Sequence, residues 1–325
     1  MALYSHLTES DIHELCHIFG RPNPLSFEGI LEGTVNTYYK LNNGKAGTDY
    51  LKIDELGDRK RLDVEVIILD LLKSKRAEIK CKTPEPHRTP QNKAYHRWGK
   101  KFVLIMPEIV GKSVAASKMS QKQFKKIAES MAKIHAATEK ESIPPHRFCM
   151  SGLEKVFREI SIPLLKKHPK IHSSIREKLR WLKQNEPKNL PYGVIHADLF
   201  TENVLFKGDV LTGILDFEAS GSGVFLFDIC VVFHAMCHDG KKFNVKKIDQ
   251  FLKAYEKVRK LTTAEKSNFD YYLQQTAMRF LLTRLRDFEL KDGMVKAAPF
   301  KDYKEFEKRF DEIPELLPIL KKHFK

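Results

Sequence analysis

Near residue 106 the hydrophobic pattern of the chain changes period, and this change restricts the fold more than any single motif. From Leu25 the pattern is that of short strands: LSFEGILEG, TVNTYYKLNN, a turn at Asn43-Gly44, then TDYLKID, which predicts two β-hairpins. Phe102 to Ile105 predicts a buried strand, and Met106-Pro107-Glu108-Ile109 breaks the sheet pattern because Pro107 has no backbone donor. From Ser120 the spacing becomes helical, with Phe124, Ile127, Ala128, Met131, Ala132 and His135 on one stripe. Strands followed by helices predict an α+β chain in two lobes: residues 1–105, a connector at 106–112, and a helical lobe at 113–325.

Local signals fill in this outline. TESDIHELCHIFG at 8–20 predicts a short amphipathic helix, and Arg61 to Lys75 predicts another. Ile79 to Ile109 reads as strands around a Pro-rich basic loop, with a hairpin turn within Lys93 to Lys101. Ser120-x-x-Gln123 and Ser151-x-x-Glu154 have the spacing of capping boxes. Further helices are expected near 173–185, 223–238, 247–259 and 263–289, and in the charged tail from Lys301.

Composition excludes several classes. No apolar run approaches the roughly 18 to 20 residues needed to cross a bilayer, and MALYSHLTES lacks the pattern of a secretory signal, so the expected compartment is the cytoplasm. The cysteines at 16, 81, 149, 230 and 237 have no CxxC spacing, which argues against a disulfide framework or a cysteine-rich zinc site. A net charge of +15 suggests polyanions as partners. The lysines are spread over every expected helix instead of gathered in one tract, and this argues against nucleic acid.

The chemistry concentrates in GVIHADLFTENVLFKGDVLTGILDF, from Gly193 to Phe217. Apolar strands flank His196, Asp198 and Asn203, and a second strand ends at Asp216. The spacing His-x-Asp-x-x-x-x-Asn, with a later Asp after a hairpin, is that of a phosphoryl-transfer loop. Taken singly, Asp198 reads as a turn former, Asn203 as a cap and Asp216 as a strand end. Taken together, Asp198 would orient or deprotonate an acceptor hydroxyl, while Asn203 and Asp216 supply hard oxygen ligands suited to Mg²⁺.

The β-rich lobe offers a complementary set. Lys52 sits between Leu51 and Ile53, where a charge either points inward to a partner or lies on an exposed face; Glu65 on the next helix is the candidate partner, or is itself solvated. Such a pair aims an ammonium at the α and β phosphates of a nucleotide. Gly29 and Gly33 flank the first turn, and Gly33-Thr34 is a candidate phosphate contact, although the GxGxxG pattern is absent. The free backbone groups of Met106, Glu108 and Ile109 could read the edge of an adenine. Two histidine-cysteine groupings, His13/Cys16/His17 and His234/Cys237/His238/Asp239, read better as packed helix faces than as metal sites. Arg279, Arg284 and Arg286 share one helix, where one could hold a substrate carboxylate.

HADLFTENVLF followed by ILDF, with GILEGTVNTYYKL, LFDI around Asp228, AYEKVRKLTTAE and RFLLTRL, resembles the aminoglycoside-phosphotransferase-like small-molecule kinases, most closely the bacterial homoserine kinases. The resemblance implies a protein-kinase-like two-lobed fold with an antiparallel N-lobe sheet, and ATP and Mg²⁺ as cofactors. It further implies transfer of a phosphoryl group to the hydroxyl of homoserine, in threonine biosynthesis. In this reading Asp198 is the base, Asn203 and Asp216 hold metal, Lys52 holds phosphate, Met106 to Ile109 is the adenine hinge, and Asp228 braces the catalytic loop. The chain departs from the homoserine kinase pattern at Glu218-Ala-Ser-Gly and at Phe233 to Cys237, where the acceptor is expected. Glu218 and Arg279 are accordingly candidate acceptor contacts, and choline, hydroxylysine or an amino sugar remain alternative acceptors, with a nucleotide-binding pseudokinase the alternative from another class.

Overall fold

A computed structural model describes residues 3–31, 35–291 and 302–324. The chain divides into two compact units, residues 1–112 with 205–208 and 212–218, and the remainder from 113.

In the first unit, α1 (Glu9–Ile18) starts from a capping box in which Thr8 and Asp11 each satisfy the other's backbone N–H. Five antiparallel strands follow the order β1-β2-β3-β5-β4: β1 (Ser26–Ile30), β2 (Thr37–Asn42), β3 (Thr48–Asp54), β4 (His96–Trp98) and β5 (Lys101–Pro107). The helices α2 (Arg59–Ser74) and α3 (Arg76–Ile79) come between β3 and β4. Tyr39, Leu41, Leu51, Ile53, Val103 and Ile105 face Ile12, Leu15, Cys16 and Phe19 of the α1 region in one apolar cluster. That packing anchors the middle strand, and with it Lys52.

Three expectations are corrected here. Gly29 lies within β1 opposite Tyr39 and does not flank a turn. Ile79 closes a helical turn instead of opening a strand. β5 continues through Met106 to Pro107, because a proline at the end of a strand forgoes only a terminal ladder bond.

The second unit is mainly helical: α4 (Gln121–Ala137), α5 (Met150–Lys167), α6 (Pro169–Gln184), then β6 (Tyr192–Ile195) and the hairpin β7 (Val204–Lys207) and β8 (Val210–Ile214), which the two units divide. After these come β9 (Gly221–Val224), α7 (Phe225–Met236), α8 (Val245–Tyr255), α9 (Thr263–Ser267), α10 (Phe269–Arg284) and α11 (Lys304–His323). β6 pairs with β9, and α7 begins at the residue after β9, so one short sheet leads directly into a helix buried on nearly every face.

Ser120 and Gln123 form the expected capping box, but Ser151 does not cap. Its helix has already begun at Met150, which leaves Ser151 inside the first turn with its hydroxyl 3.2 Å from Cys149 Sγ. The helix expected over 263–289 is interrupted at Asn268 and finishes as a π-turn over Leu285–Glu289. Among the described residues no helix is long and apolar enough to cross a membrane.

Candidate active site

The buried stripe of α2 consists of Leu62, Glu65, Ile68, Leu69 and Leu72, so helical periodicity alone turns Glu65 inward. Lys52 lies opposite Tyr38 and Leu104 in the middle of the sheet and is 2% exposed. Its ammonium is 2.9 and 3.2 Å from the Glu65 carboxylate oxygens and 2.7 Å from Glu218 Oε1. Glu218 Oε2 in turn accepts from Arg61 Nη1 at 2.7 Å, and Asn36 donates to Glu218 Oε1. Arg61 also pairs with the fully buried Asp54.

Burial alone would depress the Lys52 ammonium, but the Glu218 and Glu65 carboxylates outweigh it and hold its pKa well above the ordinary lysine value. Burial would likewise raise the Glu218 carboxyl, and Lys52 and Arg61 pull it below the usual range. The pair is therefore ionised and tightly engaged. Asp216 belongs to the same unit, and its charge also favours the Lys52 ammonium. Its φ of 62° is in the left-handed region, uncommon for an aspartate, while buried Phe217 fixes the next position and the Asp216 side chain is exposed.

In the second unit β6 carries buried Val194 and Ile195 into the loop at His196. Asp228, in the first turn of α7, accepts from His196 N and Ala197 N at 2.7 Å each, one on each carboxylate oxygen. Ala197 is thereby held at φ 62°. His135 Nε2 lies 3.2 Å from Asp228 Oδ2, and His135 Nδ1 lies 2.8 Å from Tyr255 Oη, so the network assigns Nε2 the proton and Nδ1 the acceptor role. Burial depresses the His135 pKa, so the ring is neutral at neutral pH. Burial would raise the Asp228 carboxyl, but the bonds from His135 and His196 hold it below the usual range.

Asp198 follows this braced segment and remains partly accessible, with its side chain 31% exposed. Arg279 Nη2 donates to Asp198 Oδ1 at 2.9 Å, and Asn203 Nδ2 donates to the Asp198 carbonyl at 3.0 Å. The latter bond engages the Asn203 amide nitrogen and leaves its oxygen outside that bond. By side-chain chemistry alone, the Asn203 amide oxygen and the Asp216 carboxylate are each hard oxygen donors of the kind that suits Mg²⁺. Among the described residues no three His, Cys, Asp or Glu side chains gather as a metal cluster.

The other expected residues are distributed as follows. Gly33 and Thr34 lie outside the described residues. Met106 packs partly buried against Leu62, Phe102 and Leu104; Glu108 N donates to Thr48 O at 2.9 Å; and Ile109 touches the face of Gly213. Glu218, expected near the acceptor, is joined to Lys52 and Arg61. Of the histidine-cysteine groupings, His234 lies 3.1 Å from Leu273 O and His238 2.7 Å from Glu312 Oε2. Sequence reasoning missed Arg61, Asp54, Asn36 and the Arg279–Asp198 pair. Arg61 carried a usable signal, since it precedes Glu65 by one helical turn and shares its face.

Comparison with known proteins agrees with this architecture. The sequence matches the phosphotransferase enzyme family over residues 26–261. A homoserine kinase of Rhodopseudomonas palustris is 30% identical over 292 residues, covering 88% of this chain and 87% of that protein. One from Beijerinckia indica is 28% identical over 290 residues, covering 89% and 88%. Among solved structures, an amicoumacin kinase in complex with AMP-PNP and Ca²⁺ superposes with a TM-score of 0.66 at 17% identity, covering 89% of each chain. A spectinomycin phosphotransferase in complex with ADP and spectinomycin also gives 0.66, at 14% identity and 98% coverage of each. These structures share the protein-kinase-like fold.

Proposed function

The chain belongs to the phosphotransferase enzyme family and is a small-molecule kinase, and from that premise we propose that it transfers the γ-phosphoryl group of ATP to the side-chain hydroxyl of L-homoserine. The likeness to homoserine kinases along nearly the whole of both chains carries the choice of acceptor. The site residues support the reaction class. Asp198, partly accessible and one residue beyond a backbone pinned by Asp228, would accept the hydroxyl proton or orient the hydroxyl. Lys52, held ionised by Glu65 and Glu218, would engage the α and β phosphates. Met106, Glu108 and Ile109 would contact the adenine, and Gly33 and Thr34 the phosphates. Asp216 and the Asn203 oxygen would hold Mg²⁺, which when bound neutralises charge on the transferring phosphoryl group.

The experiment is an acceptor panel that follows ADP release in the presence of ATP and Mg²⁺, with homoserine, choline, hydroxylysine and an aminoglycoside. Turnover is expected with homoserine. Turnover confined to another acceptor would overturn the assignment of homoserine but keep the phosphotransferase. Nucleotide binding without turnover of any acceptor would favour the pseudokinase alternative.

A further inference from the structure

Arg279 and Phe280 are neighbours on α10, and between them they reach the loop at Asp198 at two points. Arg279 Nη2 donates to Asp198 Oδ1 at 2.9 Å, which leaves Oδ2 outside that bond. Phe280 meets Phe200, two residues beyond Asp198, edge to face with ring centroids 5.3 Å apart. The loop is closed on itself here, since Phe200 N donates to Asp198 O at 3.0 Å and Asn203 N to Phe200 O at 3.1 Å.

Ring faces hold the Arg279 guanidinium on the sides that hydrogen bonds do not. Its Cζ lies 3.9 Å from the Phe280 centroid and 4.2 Å from that of Phe148, and its Nε is buried with no hydrogen-bond partner. A planar cation over aromatic faces is fixed in orientation as well as in place, which an ammonium at the same position would not be. Burial depresses the Arg279 pKa, and the Asp198 carboxylate opposes that shift. Each ring is set by its own element. Phe148 precedes α5, where a Cβ on Gly152 would come within 2.1 Å of the Arg147 carbonyl, so a residue without a Cβ lets the chain turn this closely. Phe280 stacks on Phe306 of α11, with centroids 4.7 Å apart and planes at 25°. α11 is tied in turn to α7, where Arg309 Nη1 donates to the His234 carbonyl at 2.7 Å.

We infer that Arg279 is a positioning residue for Asp198, clamped between Phe148 and Phe280, and that α11 braces the clamp through Phe306. The inference rests on the reading of Asp198 as the group that meets the acceptor hydroxyl, and it gives Arg279 no contact with the acceptor. Through the bond to Oδ1 the clamp fixes the plane of the carboxylate, and so the direction in which Oδ2 faces the hydroxyl. Its loss misplaces the reacting group and lowers kcat, whereas loss of an acceptor contact made equally in ground and transition states would raise KM.

The test is steady-state kinetics of the full chain with ATP, Mg²⁺ and homoserine or, where homoserine is not turned over, the panel acceptor that is. Arg279→Ala is expected to lower kcat about 100-fold while the acceptor KM moves less than about threefold. Methylguanidinium, which fits the space vacated between the two rings, should recover kcat at least roughly tenfold at constant ionic strength, and methylammonium should not. Arg279→Lys should recover only part of the loss. Phe306→Leu removes no charge, so it keeps the test independent of whether Arg279→Ala folds; it should lower kcat about tenfold with KM unchanged. In an Asp198→Asn background each of these changes should alter kcat by less than about twofold, because the carboxylate they orient is gone. A raised acceptor KM with kcat unchanged, no recovery by methylguanidinium, equal recovery by methylammonium, or full additivity with Asp198→Asn would overturn the inference while leaving phosphoryl transfer intact. An Asp198→Asn protein as active as the unaltered chain would overturn the reading of Asp198 itself, and the inference with it.

Discussion

Replacing Asp228 with asparagine should uncouple the loop from the rest of the helical unit, and the size of the effect follows from the bonds involved. The carboxylate is 2% exposed and its two oxygens serve His196 N, Ala197 N and His135 Nε2. Asparagine has nearly the same volume but only one acceptor oxygen, and it presents an NH₂ group to one of the two backbone donors. That donor, buried and now unpaired, costs about 1–3 kcal/mol, and loss of the negative charge weakens each remaining bond by about 1 kcal/mol. Part of this is returned, since Ala197 holds φ 62° only while its N–H is bound, and relaxing a non-glycine residue from that conformation regains about 1–2 kcal/mol. Asp228→Asn is therefore expected to lose about 2–3 kcal/mol in urea unfolding at neutral pH. Relaxation of Ala197 shifts Asp198, and a displacement near 1 Å lowers kcat about 100-fold. The stabilisation is present above the carboxyl's ordinary pKa of 3.8 and is lost as pH falls through its lower folded value, because only the ionised form serves all the donors. An Asp228→Asn protein with unfolding free energy within about 0.5 kcal/mol of the unaltered chain and an unchanged kcat would refute the reasoning.

Other perturbations separate the remaining parts of the site. Asp198→Asn should lower kcat by about 10² to 10⁴ with nucleotide affinity retained; a change of less than tenfold would remove Asp198 from the proposed role. Glu218→Gln removes one of two carboxylates from Lys52 while Glu65 remains at 2.9 Å, so the ammonium should accept phosphate more readily and nucleotide Kd, measured without acceptor, should fall several-fold. A weakened nucleotide affinity would show instead that Glu218 assists binding. Acid sensitivity should come in part from His146, which burial holds neutral with a pKa pushed down to about 4 against an ordinary 6.5. Between those values the unfolded chain binds a proton that the folded chain does not, so stability falls with decreasing pH by about 1.4 kcal/mol per unit. The slope measured over that interval should be shallower in His146→Leu, and an identical slope would contradict the buried neutral state.

The parts of this architecture that can be read from the sequence are those set by short-range periodicity. Strand alternation put Lys52 between two core residues, helical spacing put Glu65 in a buried stripe, and the two are only 13 positions apart. Each fact was available locally, and the ion pair needed only the assumption that a strand lysine flanked by apolar residues turns inward. The turn from β6 into His196-Ala-Asp198 was legible for the same reason. Where periodicity competed with backbone geometry the reading failed: Ser151 and Glu154 have capping spacing, but the chain enters the helix before them at Met150.

What remained hidden are the contacts that give each ionisable group its environment. Glu218 meets Arg61 across 157 positions, and Arg279 meets Asp198 across 81. No local pattern encodes such pairings, since any surface carboxylate could have served either arginine equally well before folding. This is why the motif identified a reaction class more readily than an acceptor. The spacing from Asp198 to Asn203 is a property of one loop, whereas the charge beside Asp198 comes from Arg279 on α10, 81 positions away.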